Sequence, residues 1–126
     1  IAQTEAELTQ SGSAAAVAMQ KQLTNARVAF EAVVDYIVKN AKTENKNVFA
    51  GSVTYIRLAG LLISGWQMAR ALLVAQTKLT QDESFYSAKI ATAQFYAQHL
   101  LSQVPGLATA VLEGGQVTNA LSAEQF

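Results

Sequence analysis

The sequence predicts an all-α fold: an antiparallel up-down helical bundle of three long helices, with room for a short extra N-terminal helix. Three observations carry this. Apolar residues recur every three or four positions over three long stretches, the spacing that places them on one side of a helix. Short polar segments separate those stretches. No β-branched run alternates with a period of two, so no strand is expected. At 1.5 Å per residue each helix would be roughly 40 Å long, and helices of matched length joined by short loops pack antiparallel.

The elements follow in order within one domain spanning residues 1–126. Residues 1–13, small and polar around Gly12, form a lead-in. The first helix, 14–42, carries its apolar stripe on Met19, Leu23, Ala26, Phe30, Val33, Ile37 and Ala41. Arg27 and Glu31, and Asp35 and Lys39, stand four apart on the opposite side, where such pairs attract weakly. A polar loop, Lys42 to Asn47, closes it. The second helix occupies 48–79, starting at Val48 or at Val53 according to whether Gly51-Ser52 is a boundary or lies inside. Arg57, Ser64, Ala71 and Lys78 are seven apart and form a narrow line of small or charged residues. Almost everything else there is apolar, so this helix must be covered nearly all round. Its two glycines, Gly60 and Gly65, each cost about 1 kcal/mol relative to alanine in a helix interior. They suggest the close approach of another backbone or a bulky ring.

The third helix, 80–113, opens with Thr80-Gln81-Asp82-Glu83. Thr80 and Glu83 have the spacing of a capping box, in which each side chain bonds the other's backbone amide. Pro105 lacks an amide proton and its ring clashes with the carbonyl of Leu101, so a kink is expected there. Gly114-Gly115 is expected to stop the helix, leaving 114–126 as a tail.

Composition narrows the function. Nine Lys+Arg balance nine Asp+Glu, and charged residues make up 14%, below the roughly 25% usual for a soluble domain. Without a basic block there is no electrostatic footprint for nucleic acid. There is no cysteine, so disulfides, thiolate metal sites and cysteine nucleophiles are excluded. The longest uncharged run of the second helix, Leu58 to Ala69, ends at Arg57 and Arg70, short of the roughly twenty residues of a membrane span. No membrane span is therefore expected. Ile1 to Glu5 lack the basic and apolar regions of a signal peptide, and without an initiator Met the natural N-terminus is expected to lie upstream.

Catalytic chemistry is hard to assemble. The single histidine, His99, reads as a half-buried helix residue between Phe95 and Leu101. The carboxylates Asp82 and Glu83 are accounted for by capping and the helix dipole. No Glu-x-x-His pair is present for a di-iron bundle, and Gly60 and Gly65 follow no strand, so they match no phosphate loop. No catalytic, metal or cofactor-binding residue is expected in this chain. The candidates are instead interface residues: Tyr55, Arg57, Gly60, Gly65, Trp66, Arg70 and Lys89. Arg57, Arg70 and Lys89 are the charges set among the longest apolar stretches. They read either as snorkelling side chains or as partners for carboxylates or a phosphate from outside the chain.

Two segments carry a family pattern. One is Tyr55-Ile56-Arg57-Leu58-Ala59-Gly60, continuing to Gly65-Trp66-Gln67-Met68-Ala69-Arg70. The other is Phe85 to Ala97, FYSAKIATAQFYA, ending in His99-Leu100-Leu101. Together they resemble the extra C-terminal helical domain of acyl-CoA dehydrogenases, in the branch that includes methylthio-propionyl-CoA dehydrogenase-like enzymes. The chain departs from that pattern at Gln94, Gln98 and Ser102, which removes any ion pair carried through positions 94 and 98. The closing Leu121 to Phe126 resembles the end of such proteins, which implies a natural C-terminus.

The resemblance implies a larger FAD-dependent, cytoplasmic, homo-oligomeric oxidoreductase of fatty-acid metabolism. Its flavin site and catalytic glutamate would lie in preceding catalytic domains of the same protein, and this chain would bind no cofactor itself. Its implied role is to pack on that catalytic body, with Tyr55, Arg57, Trp66 and Arg70 on the docking helix. In isolation the bundle is expected to dimerise over its apolar helix. The alternative is a stand-alone self-associating or apolar-surface-coating protein, similar to granule-coating phasins in its Ala/Gln-rich, low-charge helices.

Overall fold

The computed structural model describes residues 1–125. Of the closing segment Leu121–Phe126, Phe126 lies outside the described residues. Among the described residues six α-helices are laid out in chain order: α1 (Ala2–Ser11), α2 (Ala14–Asn40), α3 (Asn45–Ala50), α4 (Ser52–Thr77), α5 (Glu83–His99) and α6 (Val104–Thr118). Short 3₁₀ turns occupy Leu101–Gln103 and Ala123–Gln125. Among the described residues there is no strand, and the protein is an all-α helical bundle.

The two longest helices run antiparallel. Ser13 at the start of α2 meets Gln76 near the end of α4, while Phe30 stacks on Tyr55 near the start of α4 with ring centroids 5.8 Å apart. α5 and α6 each lie along both α2 and α4 without packing against each other. They make up one interrupted third rod. The core between the rods holds Met19, Leu23 and Val33 of α2, Leu58 and Leu72 of α4, Ala93 and Ala97 of α5, and Leu101, Val104 and Val111. Each fully buried Leu or Met contributes about 1.5–3 kcal/mol relative to exposure.

The short N-terminal helix that the sequence leaves room for is present as α1, docked on α2 and α4, while several other local expectations are corrected. Gly12 ends α1 with φ 62°, the left-handed conformation that glycine adopts without steric cost. Ser13 then caps α2, its hydroxyl accepting from the amide of Ala16 at 3.1 Å. Gln76 joins the two, donating to the Ser13 hydroxyl and accepting from Ser11 at 2.9 Å. Segment 48–79 is two helices that meet at Gly51. An added Cβ there would stand 2.9 Å from Cγ1 of Val111, so the α3–α4 corner closes against α6 only because the residue is glycine.

The third helix is broken rather than kinked. α5 ends at His99, a 3₁₀ turn over Leu101–Gln103 follows, and Pro105 sits in the first turn of α6, where its missing amide proton costs nothing. The N-cap of α5 is Asp82, not Thr80: its carboxylate accepts from the amide of Phe85 at 3.0 Å. Gly114-Gly115 does not end α6, which runs on to Thr118. Gly115 is buried with the backbone of Asn47 against it, an added Cβ lying 2.7 Å from the Asn47 carbonyl oxygen. Here tertiary packing outweighs the low helix propensity of glycine. His99 is exposed rather than half-buried, stacked on Phe95 with centroids 4.4 Å apart.

Candidate interaction face on α4

α4 buries one side: Leu58, Leu62, Gly65, Ala69, Leu72 and Ala75. Its other side is exposed along its whole length. Val53, Ile56, Arg57, Gly60, Ile63, Ser64, Gln67, Arg70, Ala71 and Val74 recur at spacings of three and four, all facing solvent. The large apolar members stand well out, Val53 at 80% exposure, Ile56 at 70%, Ile63 at 56% and Val74 at 52%. By length and composition α4 could cross a membrane, which the sequence reading, counting only its uncharged run, denied. In the bundle it packs against α1, α2, α5 and α6, as the core helix of a globular domain does. The predicted line Arg57, Ser64, Ala71 and Lys78 is exposed throughout.

The candidate residues divide into two sets. Tyr55, Gly65 and Trp66 serve internal packing. Tyr55 is half-buried against Phe30. An added Cβ on Gly65 would lie 2.6 Å from Cδ1 of Leu101. The Trp66 indole N–H donates to the Thr4 hydroxyl at 2.8 Å, holding α1 against α4. Arg57, Gly60, Arg70 and Lys89 face outward. Arg57 donates to the Gln103 side chain at 3.4 Å. Arg70 donates to Gln67 at 3.2 Å, with its guanidinium carbon 5.5 Å from the centre of the Trp66 ring. Lys89 on α5 lies 5.1 Å from the centre of the Phe85 ring. Arg70 and Lys89 line one open hollow of about 370 Å³ with Gln67, Ala71, Val74, Ala75 and Tyr86. Among the described residues nothing lies within 4 Å of a Cβ added at Gly60.

Charge is distributed unevenly. Among the described residues the ion pairs belong to Arg27, which binds Glu5 at 3.0 Å and Glu31 at 2.9 Å. The hydrogen bonds that Arg27 donates to those carboxylates, Glu5 first, hold its guanidinium protonated above even the usual arginine range. Asp35 and Lys39 do not approach within 4 Å. α4 contains no carboxylate at all, and α5 contains none after Glu83. The sequence reading missed the exposed apolar set Val53, Ile56, Ile63 and Val74. Its signal was present in their spacing, but with α4 apolar nearly all round nothing local marked which side faces out.

A second apolar hollow, about 260 Å³, lies between α2 and the α3–α4 corner, lined by Val34, Ile37, Val38, Val48, Phe49, Ser52 and Tyr55. It offers no cation to a pyrophosphate, and the hollow of Arg70 and Lys89 offers no covered slot to a flavin ring. The residues do not fit an FAD site. Among the described residues no group of three or more His, Asp or Glu is close enough to hold a metal ion. Every buried side-chain nitrogen or oxygen there has a hydrogen-bond partner, so none is left aimed at a ligand.

A family profile described as "Acetyl-CoA dehydrogenase C-terminal like" matches residues 1–122. Over 103 residues the chain is 41% identical to a 3-methylmercaptopropionyl-CoA dehydrogenase of Ruegeria pomeroyi (strain ATCC 700808 / DSM 15171 / DSS-3). The alignment covers 80% of this chain and 17% of that protein. No solved structure matches significantly.

Proposed function

The chain belongs to the acetyl-CoA dehydrogenase C-terminal-like family, and on that premise we propose that it is the non-catalytic C-terminal helical domain of a larger acyl-CoA dehydrogenase-like flavoenzyme. It packs on the catalytic body and contributes domain or subunit contacts. The parent is an FAD-dependent, cytoplasmic, homo-oligomeric oxidoreductase of fatty-acid metabolism, and its flavin and acyl chemistry reside in the preceding domains. One observation carries the packing role: α4 exposes Val53, Ile56, Ile63 and Val74 along a single side, an apolar strip of the kind that marks an interaction site. Family membership leaves the phasin-like alternative without independent support.

The test compares the polypeptide encoded upstream of Ile1 with and without these 126 residues. Removal of the domain is expected to lower the unfolding temperature of the body and to change its mass by light scattering. The visible flavin spectrum should stay with the body. A body whose stability and mass are the same without the domain would refute the packing role. A start codon immediately before Ile1 would refute the parent.

A further inference from the structure

Resting on that reading, we infer that the α4–α5 face recognises a surface on the catalytic body that is apolar and carries carboxylates. Arg57, Arg70 and Lys89 rise from it beside Ile56, Ile63 and Val74. None of the three cations is ion-paired among the described residues. Arg70 and Lys89 converge on one hollow, where Gln67 and Tyr86 add polar groups but no carboxylate. Glu7 of α1 lines a neighbouring hollow together with Arg70, but it accepts a hydrogen bond from Gln3 and forms no ion pair with Arg70 among the described residues. The face thus combines exposed apolar area with positive charge of one sign, and complementary potential across an interface requires negative charge opposite. A second copy of the chain, the dimer expected in isolation, would cover the apolar strip but bring the same cations to the contact and leave them without carboxylates, so it does not satisfy the charge. An anionic membrane surface satisfies the same charge, but the relative of which the match spans only 17% supplies a protein body as the occupant.

The experiment titrates the 126-residue chain into the upstream-encoded polypeptide by calorimetry, at low and at high sodium chloride. The unmodified chain is expected to bind, with affinity falling at least tenfold between the two salts. Arg70→Glu with Lys89→Glu should weaken binding tenfold or more while leaving the far-UV circular dichroism unchanged, since both side chains are exposed. Ile63→Asp should abolish binding. If the double reversal leaves the affinity within twofold while Ile63→Asp abolishes it, the charge recognition is overturned and the packing role survives. Failure of the unmodified chain to bind removes the packing role itself. Two further outcomes overturn the inference: binding to phosphatidylglycerol vesicles but not to the polypeptide, and a dimer of the chain that tightens on charge reversal.

Discussion

α2 and α4 are neighbours of nearly equal length, 27 and 26 residues, and their inner faces are alike. Each contributes leucines with no exposed surface, Leu23 on one and Leu58 and Leu72 on the other. Their outer faces differ. On α2 the exposed valines Val17, Val28 and Val38 are interleaved with Lys21, Glu31, Asp35 and Lys39, a mixed and solvated surface. On α4 the exposed apolar residues are interleaved only with cations, amides and small residues. Equal burial therefore does not mean equal roles. A helix that needs only its core surrounds it with both signs of charge, whereas α4 keeps an apolar, single-signed exterior that water alone does not account for.

The sharpest way to break this comparison is at the inner faces, where no difference should appear. Leu23→Ala and Leu72→Ala each remove a fully buried side chain and leave a cavity, with an expected cost of about 2–5 kcal/mol. Urea unfolding of the isolated chain measures both. Similar losses support the equivalence of the two inner faces. A loss at Leu72 far below that at Leu23 would mean that α4 is held mainly by something other than this core.

The same contrast explains what was legible in the sequence. On α2 the polar residues leave a single apolar stripe, and Met19, Leu23, Ala26 and Val33 of that stripe are indeed buried. On α4 the apolar residues surround the helix, so periodicity gives its existence but not its orientation. That orientation is settled by distant contacts: Trp66 to Thr4 across 62 residues, and Gln76 to Ser13 across 63. Those contacts also dock α1, whose own apolar content is too slight to announce a packed helix. Gly114-Gly115 misled because a stop signal is local, whereas the fit of Gly115 against Asn47 is not. Thr80 and Asp82 are both competent caps, and their order could not be read without knowing where α4 ends. The candidate residues were drawn from charges and glycines set in apolar stretches and from a family pattern, none of which separates Trp66, turned into the bundle, from Arg70 four positions later.

The glycines of α4 sharpen the inside–outside distinction at a smaller scale. Gly60→Ala faces open space and should stabilise the isolated chain by about 1 kcal/mol, through helix propensity alone. Gly65→Ala gains the same propensity but drives its methyl group into the buried Leu101, and overpacking costs about 1–3 kcal/mol. No net gain is expected there. Thermal unfolding of the two variants should move in different directions, or only Gly60→Ala should rise. Equal gains would show that Leu101 can step aside and that the core near the α5–α6 break is loose.

The two arginines give the smallest effect and the most direct comparison of the outer faces. Arg27 on α2 holds Glu5 of α1 and Glu31 of its own helix, with side chains 28%, 12% and 59% exposed. Among the described residues Arg70 on α4 has only Gln67 and the face of Trp66 as partners. Arg27→Ala should therefore destabilise the isolated chain by up to about 1 kcal/mol, the upper end for a partly exposed ion pair. The loss should be most evident in amide exchange along α1, which Glu5 helps to hold, and should shrink in high salt as screening weakens the pair in the unmodified chain. Arg70→Ala should change stability by no more than about 0.5 kcal/mol, the range of an ordinary surface substitution. If instead Arg70→Ala proved the costlier of the two, Arg70 would be a structural residue of the isolated bundle, and its exposure could no longer be read as readiness for a partner.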